Sequence, residues 1–361
     1  MIKYHNVGNA LFAVESISGH YIVYDCGGQN ITSLENAIQN TFKKGDTIEA
    51  VFISHYDSDH INGLHYLLNY CRVKRLILPM MPDGVRFMLL ILQTYTVELE
   101  AFVRNPEEFI QRVSPETQVV FVDDSEEEGP IDFNRSISFE QLTQSNVSHI
   151  SSSTKLYFMH IHWWVFIPMC IRTLSAKEID DFINRLYSIL GVARPKGRID
   201  MKKLWEDYTL CDRPGGKGIK NKIKKAICDT VSKMDEKGIN AASQTLYSGP
   251  DIQPDPIVRG CLYLGDYNAS KNWAQLCYVY GKYRQNIKVI QVPHHGCIDY
   301  FNENLINKGT FAVVSIGTDN KIKLGDTITK IAKRGGMPLM TGYLGKDLYI
   351  KCDVTGNHYF W

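Results

Sequence analysis

The chain has 361 residues, 44% hydrophobic and 22% charged, with 40 lysines and arginines against 39 aspartates and glutamates. That length can bury a large core, and the near-zero balance excludes a protein that holds nucleic acid or an anionic membrane through its overall charge. The longest apolar run, 156–171, is shorter than the ~20 residues a span needs and contains His160, His162 and Pro168, so no membrane association is expected.

The opening MIKYHNVGNALFAVES lacks a basic leader and is interrupted by Asn6, Gly8 and Asn9, so no secretory signal is expected. ALFAVES (10–16), GHYIVYDCGG (19–28) and IEAVFISHY (48–56) predict strands. Between the last two, NITSLENAIQNTFKK has helical spacing with Thr32 or Ser33 as N-cap. INGLHYLLNY predicts a helix, VKRLILPM (73–80) a strand, and 84–112 helical structure. TQVVFVDD and SISFEQL predict strands, and 154–169 a β-hairpin. Residues 172–238 are polar, charged and helical in pattern, with a glycine-rich break at 213–218, and predict an inserted basic segment. Strands resume at 241–249, 260–268, 287–296, 311–317 and 346–353. Alternating strands and helices predict an α/β sandwich with mixed sheets, divided as 1–171, 172–238 and 239–361. Nine cysteines without a CxxC spacing predict reduced thiols in a cytoplasmic protein.

ISHYDSDHINGL (53–64) follows an apolar strand and places His55, Asp57, Asp59 and His60 close together with no lysine or arginine among them. Carboxylates withdrawn from water need a cation or a hydrogen-bond partner. Metal binding meets that need, since imidazole nitrogen and carboxylate oxygen both suit zinc or manganese. If the strand continues through them, His55 and Asp57 project to one side, and Asp59 and His60 follow in the turn into the next helix. The other reading is an exposed polar turn that caps the helix through Asp59. LYLGDYN ends a second strand on Gly265-Asp266, and VIQVPHHG ends a third on His294-His295-Gly296. Sites of α/β proteins form past the carboxyl ends of strands.

Together, HYDSDH, LYLGD and VPHHG resemble the metallo-β-lactamase superfamily. Its usual HxHxDH is HxDxDH here, with Asp57 in place of a histidine. That variant, with HHG, is similar to the free-standing ComEC-like domains and to some phosphocholine esterases. HNVGNALFAVES…YIVYDCGG resembles the family's opening hairpin, INAASQTLYSG its Asn-x-x-Ser strand and VVSIGTDN its last core strand. The resemblance covers 1–80 and 239–361. It implies an αββα metallo-β-lactamase sandwich with a helical insertion, acting as a hydrolase with two divalent metal ions. His55 and Asp57 would hold the first with His294 or His295, Asp59 and His60 the second, and Asp266 would bridge both. Asp25 would brace the loop. Asp59, His60 and Asp266 would support catalysis by hydroxide generated between the metals. The implied substrate is a phosphodiester, foremost nucleic acid. Asp57 hardens the ligand set and tilts it from zinc towards manganese.

The family's Gly-His-Pro is absent: the segment reads NKIKLGDTI, so either Asp326 replaces the missing histidine or the second metal keeps an open position. VGNAL also departs from the family's VGxGD. Lys220, Lys222, Lys224 and Lys225 concentrate charge in the insertion and suggest phosphate contacts, the other reading being a solvated helix face. Two further functions stay open: a small-molecule hydrolase of the same fold, for a cyclic nucleotide, phosphocholine ester or lactone, and a non-catalytic subunit with a protein partner in a bacterial defence or DNA-processing system. His160 and His162 share a strand face, as substrate or metal contacts or as solvated residues.

Overall fold

The structure is a computed structural model that describes residues 1–124, 135–171, 174–197, 199–212, 217–231, 243–251, 260–317, 324–341 and 346–351. Its strands are β1 (Ile2–Tyr4), β2 (Phe12–Ile17), β3 (His20–Cys26), β4 (Thr47–Phe52), β5 (Arg72–Val73), β6 (Arg75–Pro79), β7 (Gln118–Asp123), β8 (Ser136–Ser138), β9 (His149–Ser151), β10 (Lys155–Phe158), β11 (Ile161–Met169), β12 (Thr245–Pro250), β13 (Gly260–Tyr263), β14 (Ile287–Gln291), β15 (Phe311–Ser315), β16 (Met337–Thr341) and β17 (Leu348–Ile350). The helices are α1 (Ile31–Thr41), α2 (Ser58–Ile61), α3 (Leu64–Tyr70), α4 (Asp83–Leu92), α5 (Val97–Arg104), α6 (Pro106–Val113), α7 (Phe139–Gln144), α8 (Ala176–Leu190), α9 (Met201–Thr209), α10 (Lys217–Val231), α11 (Trp273–Tyr280) and α12 (Leu324–Lys333). Among the described residues no helix is long and apolar enough to cross a membrane.

Two sheets form, in the orders β17-β1-β2-β3-β4-β6-β7-β9, with β5 beside β4, and β16-β15-β14-β13-β12-β11-β10-β8. Side-chain alternation along the strands makes three layers of core. Ile22, Tyr24 and Phe52 of the first sheet meet Phe166, Tyr263 and Val313 of the second between the sheets. Val23, Val51 and Leu76 face the other way, under α1 and α3 to α6. Ala312, Val314 and Ile290 pack under α11 and α12. The result is an αββα sandwich. Strands buried on both faces read as continuous apolar runs, which is why β4, β6 and β15 are legible in the sequence.

The segment 174–231 supplies α8, α9 and α10. Ser175 and Glu178 close a capping box on α8, and Gly191, at φ +69°, ends it. These helices cover α4, whose residues Gly84 to Leu90 are all buried. A Cβ on Gly84 would lie 3.1 and 3.2 Å from Ile179 and Ile183 of α8. Phe87 sits edge-on to Trp205 and Tyr208 of α9. An apolar surface all round the helix is what such covering requires.

Local expectations change, and the strands expected over 260–268 and 287–296 end at Tyr263 and Gln291. The strand expected over 48–56 ends at Phe52, so His55 and Asp57 lie in a loop rather than on a strand face. The N-cap of α1 is Asn30, which accepts from Ser33 N, and Thr32 and Ser33 fall inside the first turn. SISFEQL is a strand only to Ser138, which then caps α7 in a box with Gln141. A further strand, β16, follows β15; its Pro338 is tolerated because β16 is the sheet edge. Residues 241–242, 318–320 and the glycine-rich stretch 213–216 lie outside the described residues.

Candidate metal centre

Three strand ends converge. β4 leads into 53–60, β13 into 264–268 and β14 into 292–296. Asp25, fully buried near the end of β3, lies beneath the first loop at φ +56°. Ser54 N and Oγ donate to its two oxygens at 2.6 and 2.7 Å, and His60 Nδ1 donates to Oδ2 at 2.8 Å. The loop also runs close over Gly27, where a Cβ would lie 1.7 Å from Asp59 O, so only glycine fits.

Hydrogen bonds fix which ring nitrogen of His55, His60 and His295 faces inward. His60 gives its Nδ1 proton to Asp25. Ser54 spends its own proton on Asp25, so at 2.9 Å it can only accept from His55 Nδ1. His295 Nδ1 donates to Ser315 O at 3.2 Å. Each ring therefore turns its Nε2 lone pair towards the carboxylates, the arrangement that partners behind metal-bound histidines impose.

The other two loops are fixed as tightly. Gly265 has φ +53°, and its N–H and that of Leu264 donate to Gln291 Oε1 at 2.7 and 2.8 Å. Asp266 N donates to Ser243 Oγ at 3.1 Å. His294, His295 and Gly296 are all left-handed, at φ +47°, +52° and +86°. For the two histidines this conformation costs about 1–3 kcal/mol each, a strain that clusters at functional sites. It sends the adjacent rings apart, with centroids 6.2 Å from one another.

The donors fall into two groups that share Asp266. In the first, His55 Nε2 stands 3.8 Å from Asp57 Oδ2 and 3.7 Å from Asp266 Oδ2, and His294 Nε2 is 3.7 Å from that same Asp266 oxygen. In the second, His60 Nε2 stands 3.4 Å from Asp266 Oδ1 and 3.7 Å from Asp59 Oδ2, and His295 Nε2 is 3.2 Å from Asp59 Oδ2. Donors around a four-coordinate ion with bonds of about 2.0–2.2 Å stand roughly 3.3–3.6 Å apart. Lone pairs facing carboxylate oxygens at such distances repel unless a proton or a cation lies between them. His55 Nε2, His60 Nε2 and Asp266 Oδ1 are buried and have no hydrogen-bond partner among the described residues. His55, His60 and Asp266, and likewise Asp59, His60 and His295, each bring ligand atoms within 4.8 Å of one another. The donor set fits divalent ions.

The electrostatics agree. Burial opposes a charge on His60, but Asp59, Asp25 and Asp266 outweigh it and raise its pKa well above the ordinary value. Burial also opposes charge on Asp266, yet His60, His55 and His294 hold its carboxyl well below the usual range. Asp59 is drawn down to about 2 by His60 and His295 against the effect of burial. Asp57 goes the other way: burial, with Asp59 and Asp266 adding to it, raises its pKa despite His55. A pocket that favours protons on imidazoles favours a cation in their place.

Ser243, the serine of the Asn-x-x-Ser resemblance, acts through the bond above. Several other supporting residues carry no sequence signal. Ser54 and Gln291 act through the bonds above. Gln93 Nε2 donates to Asp57 Oδ2 at 3.2 Å, Tyr95 OH donates to Tyr56 O at 2.9 Å, and the Tyr300 ring meets His294 edge-on at 4.2 Å. Other candidates lie apart. Asp326 is exposed in the first turn of α12 and lies in neither donor group. Lys222, Lys224 and Lys225 are exposed on α10, and Lys220 lies over the Tyr208 ring at 4.7 Å. His160 Nε2 pairs with His20 Nε2 at 3.0 Å, His20 standing at the start of β3, the end away from Asp25, and His162 is exposed. A cavity of about 690 Å³, lined by Met80, Arg86, Arg104, Phe121 and His149 among others, includes none of the donors.

Residues 6–80 match the family model of the metallo-beta-lactamase superfamily. That stretch holds Asp25 and the donors from His55 to His60, but not Asp266, His294 or His295. No curated protein matches the chain. Among solved structures, human tRNase Z, short form, is similar at 11% identity and a TM-score of 0.38, over 94% of this chain and 92% of that one, a likeness too distant to carry a substrate across.

Proposed function

We propose that the chain is a metal-dependent phosphodiesterase whose centre takes two divalent ions. His55, Asp57, His294 and Asp266 would hold one, and Asp59, His60, His295 and Asp266 the other. The observation that carries this reading is the division of Asp266, with Oδ2 facing His55 and His294 and Oδ1 facing His60. A carboxylate so placed can bridge. Two bound ions lower the pKa of a water and offset charge on the oxygens of a phosphoryl group.

The chain supplies the rest. Asp25 and the Ser315 carbonyl hold the protons of His60 and His295 on the far nitrogens, so that both rings present lone pairs inward. Asp59 and His294 have side chains 38% and 25% exposed, whereas those of His55, His60 and Asp266 are at most 5% exposed. Substrate therefore approaches over Asp59 and His294. The nitrogen and oxygen donors balance, and Asp57 in place of an imidazole favours manganese over zinc. Nucleic acid is the favoured phosphodiester, supported by the exposed lysines of α10 and by the resemblance of the chain's motifs.

The test is metal analysis of purified protein, followed by assays with manganese or zinc on single-stranded RNA and DNA and on bis(p-nitrophenyl) phosphate. Two ions per chain and metal-dependent cleavage are expected. Protein that binds no divalent ion, or that cleaves none of these with both sites filled, overturns the reading. Cleavage of the small ester alone would replace nucleic acid by a small-molecule substrate.

A further inference from the structure

We infer that Gln93 is a positioning residue for the first half of the centre, and that through it the helices of 174–231 act on metal affinity. The inference rests on the two-ion reading. Three histidine donors have a second ring nitrogen through which the scaffold aims them: His55 through Ser54, His60 through Asp25, His295 through Ser315. An aspartate has no such handle. Its carboxylate must be aimed by a donor to one of its own oxygens.

Gln93 supplies that donor. It closes α4, its N–H bonded to Leu89 O at 2.9 Å, and its Nε2 donates at 3.2 Å to Asp57 Oδ2, the oxygen that stands 3.8 Å from His55 Nε2. Asp57 is the N-cap of the one-turn helix α2, but its side chain makes no cap bond there. Two residues beyond Gln93, Tyr95 OH donates to the Tyr56 carbonyl, directly before Asp57. One short connection thus holds both the carboxylate and the peptide that leads into it. Its base is rigid, because α4 is clamped by α8 at Gly84 and by α9 at Phe87. The segment 174–231, distant in sequence from every donor, reaches the centre along α4.

The test uses the full chain and two substitutions, Gln93→Met, which keeps the length and removes the donor, and Gln93→Glu, which sets a second carboxylate against Asp57. Calorimetric titration with manganese, and the visible spectrum of the cobalt form, read the two sites separately. One ion should bind about ten-fold more weakly in Gln93→Met, with the other unchanged and the cobalt bands of one site altered. Gln93→Glu, whose added charge attracts a cation, should recover part of that loss for the same ion. A loss at one ion that Met shows and Glu offsets is a charge signature that loss of folding does not produce. Parent-like binding of both ions by Gln93→Met, or equal weakening of both, overturns the inference and leaves the two-ion reading standing. A parent chain that binds no divalent ion overturns both.

Discussion

His60 and His295, in the second half of the centre, are aimed from behind by a β3 carboxylate and a β15 carbonyl, both inside the sandwich. In the first half His55 is held from behind by Ser54 and Ser243, while Asp57 accepts from Gln93 at the end of α4. The second half is thus part of the strand framework. The first half also touches a helix outside it, through Asp57. A change in 174–231 should be felt by one ion and not by the other, so the halves are separable by mutation although they share Asp266.

The largest effect should come from removing what they share. Asp266→Asn keeps the shape and removes the charge that faces both groups, so both ions should bind at least about 100-fold more weakly, beyond the usual 10–100-fold range for supporting residues. Metal titration checks this, and tight binding of either ion would separate Asp266 from that half. Next is Asp25→Asn, which disturbs the hold on His60. The second ion should weaken about 10–100-fold, and the first by less, because Asp25 also fixes the Ser54 hydroxyl that accepts from His55 Nδ1. Asp25→Ala should also lower stability by about 1–3 kcal/mol for each donor left unpaired, measurable by denaturant unfolding of the metal-free protein.

Smaller and confined to the first half is Asp57→His. Imidazole is the softer ligand, so the ratio of zinc to manganese affinity should rise about ten-fold at one site only, as competition titration would report. An unaltered ratio would mean that Asp57 does not touch the ion. The smallest effect should come from changing Lys220, Lys222, Lys224 and Lys225 to Gln. Both ions should bind as in the parent, while the salt dependence of single-stranded nucleic acid binding flattens by about 0.7 in log–log slope for each phosphate that these lysines no longer neutralise. An unchanged slope would leave these lysines no role beyond the packing that Lys220 makes with Tyr208.

The residues that converge at the strand ends were legible because ligand-type residues at the ends of apolar strands are costly without a partner. The sheets were legible where strands are buried on both faces. Spacing could not separate His294 from His295. They are neighbours, and three successive left-handed residues send their rings to different groups. Nor could it show that His295 comes to stand 3.2 Å from Asp59 while Asp326 joins neither group, since that depends on how the loop after β14 meets the loop after β4. Gln93 was invisible because a glutamine at a helix end follows no pattern, and its meaning arises only once α4 is packed beside Asp57. β16 was missed because MPLMT is short, contains a proline and keeps Met337 and Met340 exposed.

The pairing of β17 with β1 has a consequence for how the chain is made. Ile2, Lys3 and Tyr4 take Ile350, Tyr349 and Leu348 as partners, and Asp347 reaches Lys3 at 3.1 Å. Pairings of such sequence separation are slow to form, because a very long loop must close before they contribute anything. During synthesis the free edge of β1 stays open until residues near 350 leave the ribosome, and an open edge is a template for pairing with other chains. Pulse-labelled hydrogen exchange during refolding would read this order, with the amides of Ile2 to Tyr4 that face β17 gaining protection after those of β3 and β4.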